Sequence, residues 1–307
     1  MAASLIPIDV REWLFEVFAD CNKRVASKMT RIPTVHETSL DLSMIEHLSQ
    51  VAVPVRLPSD WTVRLDTHYL GGARHWGTWE IADIGILFLL RRAGEVIRSK
   101  VAVLQSKRLY PVEQDYEEDE PIDYYRGFGR LWEPRESFLR VTSEREFHFK
   151  QRSRYKALVV SDHQYVAIQE YENRHGIPVY YLLYHPLRIP SVRKLPLSGG
   201  RSVRGKCKVG CRIVPAQALR DALSTRERAY TPSYGDLKFL LPPPFDERQY
   251  EVGWPLETFV ADLLIQCEEG YVASGPYDEG INAVFTERNA PISAAISVTI
   301  DAPETFG

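Results

Sequence analysis

Residues 80–110 read EIADIGILFLLRRAGEVIRSKVAVLQSKRLY, and the way this stretch pairs with itself decides the fold. Two apolar runs rich in strand formers, residues 81–90 and 96–104, flank a turn at Ala93-Gly94, with Arg91, Arg92 and Glu95 marking its solvated end. If the chain reverses there, antiparallel partners carry numbers adding to about 187 or 188. Asp83 then faces Gln105, and Lys107 lies on the same face two residues on. Asp83, Gly85, Leu87 and Leu89 share one face, and Ile84, Ile86, Phe88 and Leu90 share the other. A strand apolar on both faces belongs at the centre of a covered sheet, which predicts an α/β or α+β fold: a mixed sheet flanked by helices. An acid, an amide and an ammonium gathered at one end of such a hairpin are costly to bury without partners. They mark a site that opens to a ligand at the edge of the sheet.

Working outward, residues 9–29 repeat apolar side chains at three and four, a helix with Asp9 as candidate N-cap. A second helix over 37–48 carries Glu37 and Asp41 four apart on one side. Glu37 is equally a first-turn acid favoured by the helix terminus. Residues 51–57 and 61–65 read as strands, and 67–79 as irregular chain holding His68 and His75, which either approach the hairpin site or stay at the surface. Beyond the hairpin, the acidic run 111–121 reads as a solvated loop, followed by Tyr124, Tyr125 and Phe128 as loop anchors or stacking rings. Residues 157–174 are a helix, 178–184 a strand, 214–223 a short helix after a proline, 240–244 a stiff connector, 256–267 an amphipathic helix and 294–300 a terminal strand.

The 307 residues allow one large domain with additions or two modest ones. The division drawn is a core over 1–186 with N-terminal helices, and a basic segment with a C-terminal α+β extension over 187–307. Net charge is -3, so nucleic-acid binding must rest on local patches. One stands out: Arg188, Arg193, Lys194, Arg201, Arg204, Lys206, Lys208 and Arg212, with no acid between them. It is either a solvated loop or a pliable arm that tracks phosphates. Of the four cysteines only Cys207 and Cys211 are close, without the further pair a zinc site needs, so reduced thiols are the expectation. The N-terminus lacks a signal-type apolar core and no run reaches membrane-spanning length, which predicts a cytoplasmic protein with no membrane partner.

Magnesium takes hard oxygen ligands: one or two carboxylates with water and substrate phosphate. Asp83 supplies one carboxylate and Glu37, if its helix packs over the sheet end, a second; Gln105 adds an amide oxygen. Lys107 cannot bind a metal, but its ammonium suits an attacking water or the charge building on a phosphate. The set matches metal-assisted phosphodiester hydrolysis. No nucleophile elbow, glycine-rich phosphate loop or zincin spacing competes with it.

The order Glu37 on a helix, Asp83, an apolar hairpin, Gln105-Ser106-Lys107 and a following helix resembles the PD-(D/E)XK nuclease superfamily in its Q-x-K variant, over roughly residues 37–185. The resemblance implies a restriction-endonuclease-like core and a magnesium-dependent DNA endonuclease in which manganese substitutes. Asp83 would be the metal-binding aspartate, Gln105 would stand for the second-strand acid, Lys107 for the catalytic lysine and Glu37 for the first-helix glutamate. Gln169 is a weaker match, to a polar residue on the helix after the motif. Gln105 removes one negative charge from the metal's shell unless Glu37 or Glu80 compensates, and the proline before the aspartate is absent. The module is also similar to effector nucleases of prokaryotic restriction and phage-defence systems, which implies double-stranded DNA, a defence-system protein partner and a homodimer as partners. The competing readings are a nuclease-fold DNA-binding module without turnover, and a structural or interaction subunit in which Asp83 and Lys107 form an internal ion pair.

Overall fold

The computed structural model describes residues 6–69, 81–112, 145–195, 204–241, 252–275, 278–285 and 292–304. Residues 84–108 form the hairpin that the apolar runs and turn require. Strand β3 (Ile84–Arg92) pairs antiparallel with β4 (Glu95–Arg108), Ile84 opposite Leu104 and Phe88 opposite Lys100, with a one-residue shift after Leu90. Ala93 and Gly94 both take positive φ, +51° and +83°, the twist that a two-residue hairpin turn demands.

Around this pair lies a mixed sheet. Strands β1 (Val55–Arg56), β2 (Thr62–Tyr69), β6 (Val179–Tyr184), β9 (Arg212–Pro215), β10 (Trp254–Pro255) and β12 (Ala294–Ala302) complete the order β1-β2-β12-β3-β4-β6-β9-β10, and β11 (Tyr271–Val272) adds to β4. Strand β12 runs parallel to β3 and antiparallel to β2, and β6 runs parallel to β4. Chain beyond residue 187 thus supplies β9, β10 and β12 to the same sheet. A second sheet has the order β5-β7-β8, from Arg145–Phe149, Arg188–Leu195 and Arg204–Lys208.

Helix α1 (Ile8–Arg31) buries Val10, Leu14, Phe18, Cys21, Val25 and Met29, the stripe its periodicity predicts. Asp9 is not its N-cap. It lies in the first turn, where Oδ2 accepts from the Ser59 amide at 2.9 Å. Helix α2 (Glu37–Ser49) buries Leu40, Met44, Ile45 and Leu48. Helix α3 (His163–His175) starts later than the apolar pattern suggests, because the Asp162 carboxylate caps the Tyr165 amide at 2.8 Å, and Gly176 in the left-handed region ends it. Helix α4 (Ala216–Leu223) follows β9 directly. The stretch read as one amphipathic helix is an α-turn, Leu256–Thr258, that widens into a π-helix, Phe259–Leu264. Helix α5 (Glu279–Phe285) precedes β12.

Three further expectations change. Only Val55–Arg56 of residues 51–57 is strand. β2 runs on to Tyr69 and carries His68, exposed, opposite Ala295. Basic residues 188–212 are not a loop or pliable arm over their described length; they are strands β7, β8 and the start of β9. No helix among the described residues is long and apolar enough to cross a membrane.

Candidate functional site

Strand β3 begins opposite Leu104, whereas β4 runs on to Arg108. Past Leu104, β4 keeps β6 on one side and, among the described residues, has no strand on the other. The last ladder bond on that side is from the Asp83 amide to the Leu104 carbonyl, 2.9 Å. Beyond it the amides of Ser106 and Arg108 point to an open edge, and a buried amide needs an acceptor. Two carboxylates supply one each. Asp83 Oδ2 accepts from Ser106 N at 2.7 Å, and Glu37 Oε2 accepts from Arg108 N at 2.7 Å.

Asp83 Oδ2 also accepts from Gln105 Nε2 at 2.5 Å, the opposition that the hairpin register predicts. Lys107 Nζ stands 3.7 Å from Glu37 Oε1, so α2 reaches the end of the sheet and closes the set. Lys107 and Gln105 are buried, while Asp83 and Glu37 are half-buried, which leaves the acids as the side of the cluster nearest solvent. The four residues picked out of the sequence are therefore brought together. Glu80, His75, Tyr124, Tyr125, Phe128 and Arg201 lie outside the described residues.

Three partners escape sequence reading. Ser106 Oγ and Tyr184 Oη both donate to Asp41 Oδ1, each at 2.6 Å. Burial, first, and then the charge of Asp83 hold the Asp41 carboxyl well above the usual carboxylate range. Gln164, in the first turn of α3, donates from Nε2 to Gln105 Oε1 at 3.1 Å. Gln169, the helix residue singled out by resemblance, is exposed. The signal for Asp41 was its spacing of four from Glu37; nothing local marks Gln164 or Tyr184. Arg108 turns to the other face of β4, where its guanidinium donates to the carbonyls of Val35 and, at 2.6 Å, Pro33. These bonds tie the α1–α2 connection to the strand that bears the site.

Among the described residues, no group of three or more His, Cys, Asp and Glu side chains is disposed to hold a metal ion. The donor chemistry of Glu37, Asp83 and Gln105 is nonetheless all oxygen, the kind magnesium takes with retained water. Gln105 offers nitrogen to Asp83. A half-turn of its amide, matched by one in Gln164, presents oxygen instead and preserves their mutual bond.

Of the basic segment, Arg188 and Arg193 are half-buried and Lys208 is exposed; Lys194, Arg204 and Lys206 lie on β7 and β8. Arg212 is committed to main-chain carbonyls. It is buried, with Nε donating to Val209 O at 3.0 Å and Nη1 to Gly253 O at 3.1 Å. No family model matches the chain, and no curated protein or solved structure matches it.

Proposed function

We propose that this chain is a metal-dependent phosphodiester hydrolase acting on DNA, an endonuclease of the PD-(D/E)XK kind centred on Glu37, Asp83, Gln105 and Lys107. The observation that carries the reading is the convergence on one open sheet edge of two carboxylates from separate elements, an amide and a lysine. Magnesium, or manganese in its place, would be held by Asp83, Glu37 and the Gln105 oxygen and would supply charge neutralisation and a water of lowered pKa. Lys107, already turned toward Glu37, holds the attacking water or meets the negative charge growing on the phosphate. Gln164 fixes the amide plane of Gln105, and the Asp41 pair fixes Ser106 between them. DNA would lie over the β7–β8 strands with Arg188, Arg193 and Lys208 toward its phosphates, Arg212 excepted. A role in restriction or phage defence rests on resemblance.

A second reading has an observation of its own: both acids cap β4 amides, which is a sufficient structural reason for them. Lys107→Ala and Asp83→Asn separate the two, since asparagine keeps an acceptor for the Ser106 amide. Plasmid, linear duplex, single-stranded DNA and RNA are incubated with magnesium, manganese or chelator. We expect metal-dependent DNA cleavage that Lys107→Ala abolishes while DNA binding persists, and loss of at least about a hundredfold with Asp83→Asn. No cleavage by the wild type on any substrate, or full activity in Lys107→Ala, overturns the assignment.

A further inference from the structure

A cavity of about 640 Å³ lies between α1, the β7–β8 strands and the segment around Pro255. It shares no residue with the site at the hairpin. That volume falls in the range that encloses a small organic ligand, on the order of 300–1,000 Å³. Its wall has two chemistries. Lys23, Arg188, Lys208 and the buried Arg212, whose guanidinium is held by main-chain carbonyls, line it with positive charge, whereas Phe15, Leu187 and Val209 line it with apolar surface. Phe15 is 41% exposed although it belongs to a helix whose other large apolar residues are mostly buried.

The floor is fixed. Asn22, at the base, accepts from Cys211 N at 2.7 Å and donates to Glu257 Oε2 at 2.7 Å. Gly210 is left-handed, φ +66°, and a Cβ there would fall 2.6 Å from Asn22 Oδ1, so the backbone comes as close to that amide as any residue allows. The bond to Asn22 orients the Glu257 carboxylate, the acid that lines an otherwise cationic cavity.

We infer that this cavity binds a phosphorylated nucleoside, with the phosphate toward Lys23, Arg188 and Lys208, the ring against Phe15, and an amino group of the base toward Glu257. Ammonium and guanidinium groups recognise a phosphate, the guanidinium by two parallel hydrogen bonds. Every base has a face that stacks on an aromatic ring, and a carboxylate accepts from an exocyclic amine. A bare inorganic anion leaves the apolar wall uncovered and meets the Glu257 charge. The phosphorylated nucleoside is either a free nucleotide or the end of a strand. The inference does not depend on cleavage at Asp83 and Lys107.

The test is calorimetric titration of the full chain, in metal-free buffer, with AMP, ATP, inorganic phosphate and a tetranucleotide with or without a 5′-phosphate. Lys23→Glu, Lys208→Glu and Phe15→Ala are titrated alongside, their fold checked by circular dichroism; Lys23, Lys208 and Phe15 are all exposed. We expect saturable binding of the nucleotides at least about tenfold tighter than of phosphate. Each charge reversal should weaken it by a further factor of about ten, and Phe15→Ala should weaken nucleotide binding but not phosphate binding. Tighter binding of the 5′-phosphorylated tetranucleotide than of AMP identifies a strand end as the source, and the reverse order identifies a free nucleotide. No saturable binding at low-millimolar ligand, phosphate binding as tight as AMP, or charge reversals without effect overturns the inference. Arg188 and Lys208 also face the DNA in the proposed function, so the separating variant is Asp83→Asn: run in parallel in metal-free buffer it binds nucleotide like the wild type, and a failed nuclease assay is thereby told apart from a failed titration.

Discussion

Asp41 shows what a single buried acid costs at this site. Its Oδ1 accepts two hydroxyl hydrogen bonds, yet burial and the neighbouring Asp83 still raise its pKa well above the ordinary value. An acid whose folded pKa is raised contributes its stability below the unfolded value of about 3.9 and loses it as pH rises through the folded value. Asparagine keeps the acceptor oxygen and carries no charge. Asp41→Asn should therefore match or exceed the wild type in urea unfolding at pH 8, with its advantage shrinking toward pH 5. Asp41→Ala strands two buried hydroxyls and should lose about 1–3 kcal/mol at either pH. Equal destabilisation by both would mean that the ionised carboxylate is required. Sequence spacing placed Asp41 beside Glu37 but not beside Tyr184. That contact needs the parallel register of β4 on β6, in which Arg108 lies opposite Tyr184. Gln164 was obscured for a similar reason: the helix starts at the Asp162 cap, which puts Gln164 in the first turn, within reach of Gln105.

The hairpin was legible because its information is local: two apolar runs, one turn, and a register that puts Gln105 against Asp83 with no help from distant chain. The turn itself is suboptimal. Ala93 is exposed and sits at φ +51°, a conformation in which its Cβ is penalised and asparagine or glycine is not. Ala93→Asn, which gives the Asn-Gly pair such turns favour, should raise stability by about 0.5–1 kcal/mol in chemical denaturation and leave any site activity unchanged. A loss of stability would show that the turn is set by contacts other than its own backbone. Strands β7 and β8 were not legible, since charge dominates their sequence and the pairing of β7 with β8 and with β5 is long-range. The π-helix at Phe259–Leu264 escaped too, because apolar spacing is nearly the same for α- and π-turns over six residues.

At the scale of the molecule, the last described strand lies in the middle of the sheet, between β2 and β3. Local pattern identified β12 as a strand but carried no information about that position. Residues before 70 and after 293 are thereby welded to the hairpin. A comparable weld on the other side of the sheet runs through His185, at the end of β6. Its Nδ1 is 2.8 Å from the Gly210 carbonyl, which only accepts, so Nδ1 carries the proton and Nε2 accepts from the Tyr155 hydroxyl at 2.6 Å. Burial, chiefly, drives its pKa down to about 3. The folded protein thus keeps a neutral imidazole while the unfolded chain takes up a proton near pH 6.5. Between those values the unfolded state binds more protons, so stability rises with pH and is lost as pH falls from about 6.5 toward 3, by at most about 1.4 kcal/mol per pH unit from this group. Glutamine supplies an amide NH2 to donate and a carbonyl oxygen to accept, and does not titrate. His185→Gln should lower stability at pH 7.5 through imperfect packing, yet show a shallower fall between pH 6.5 and 4.5 than the wild type. Urea midpoints across that range measure it; parallel curves would mean that the acid sensitivity of the fold comes from the carboxylates and not from this histidine.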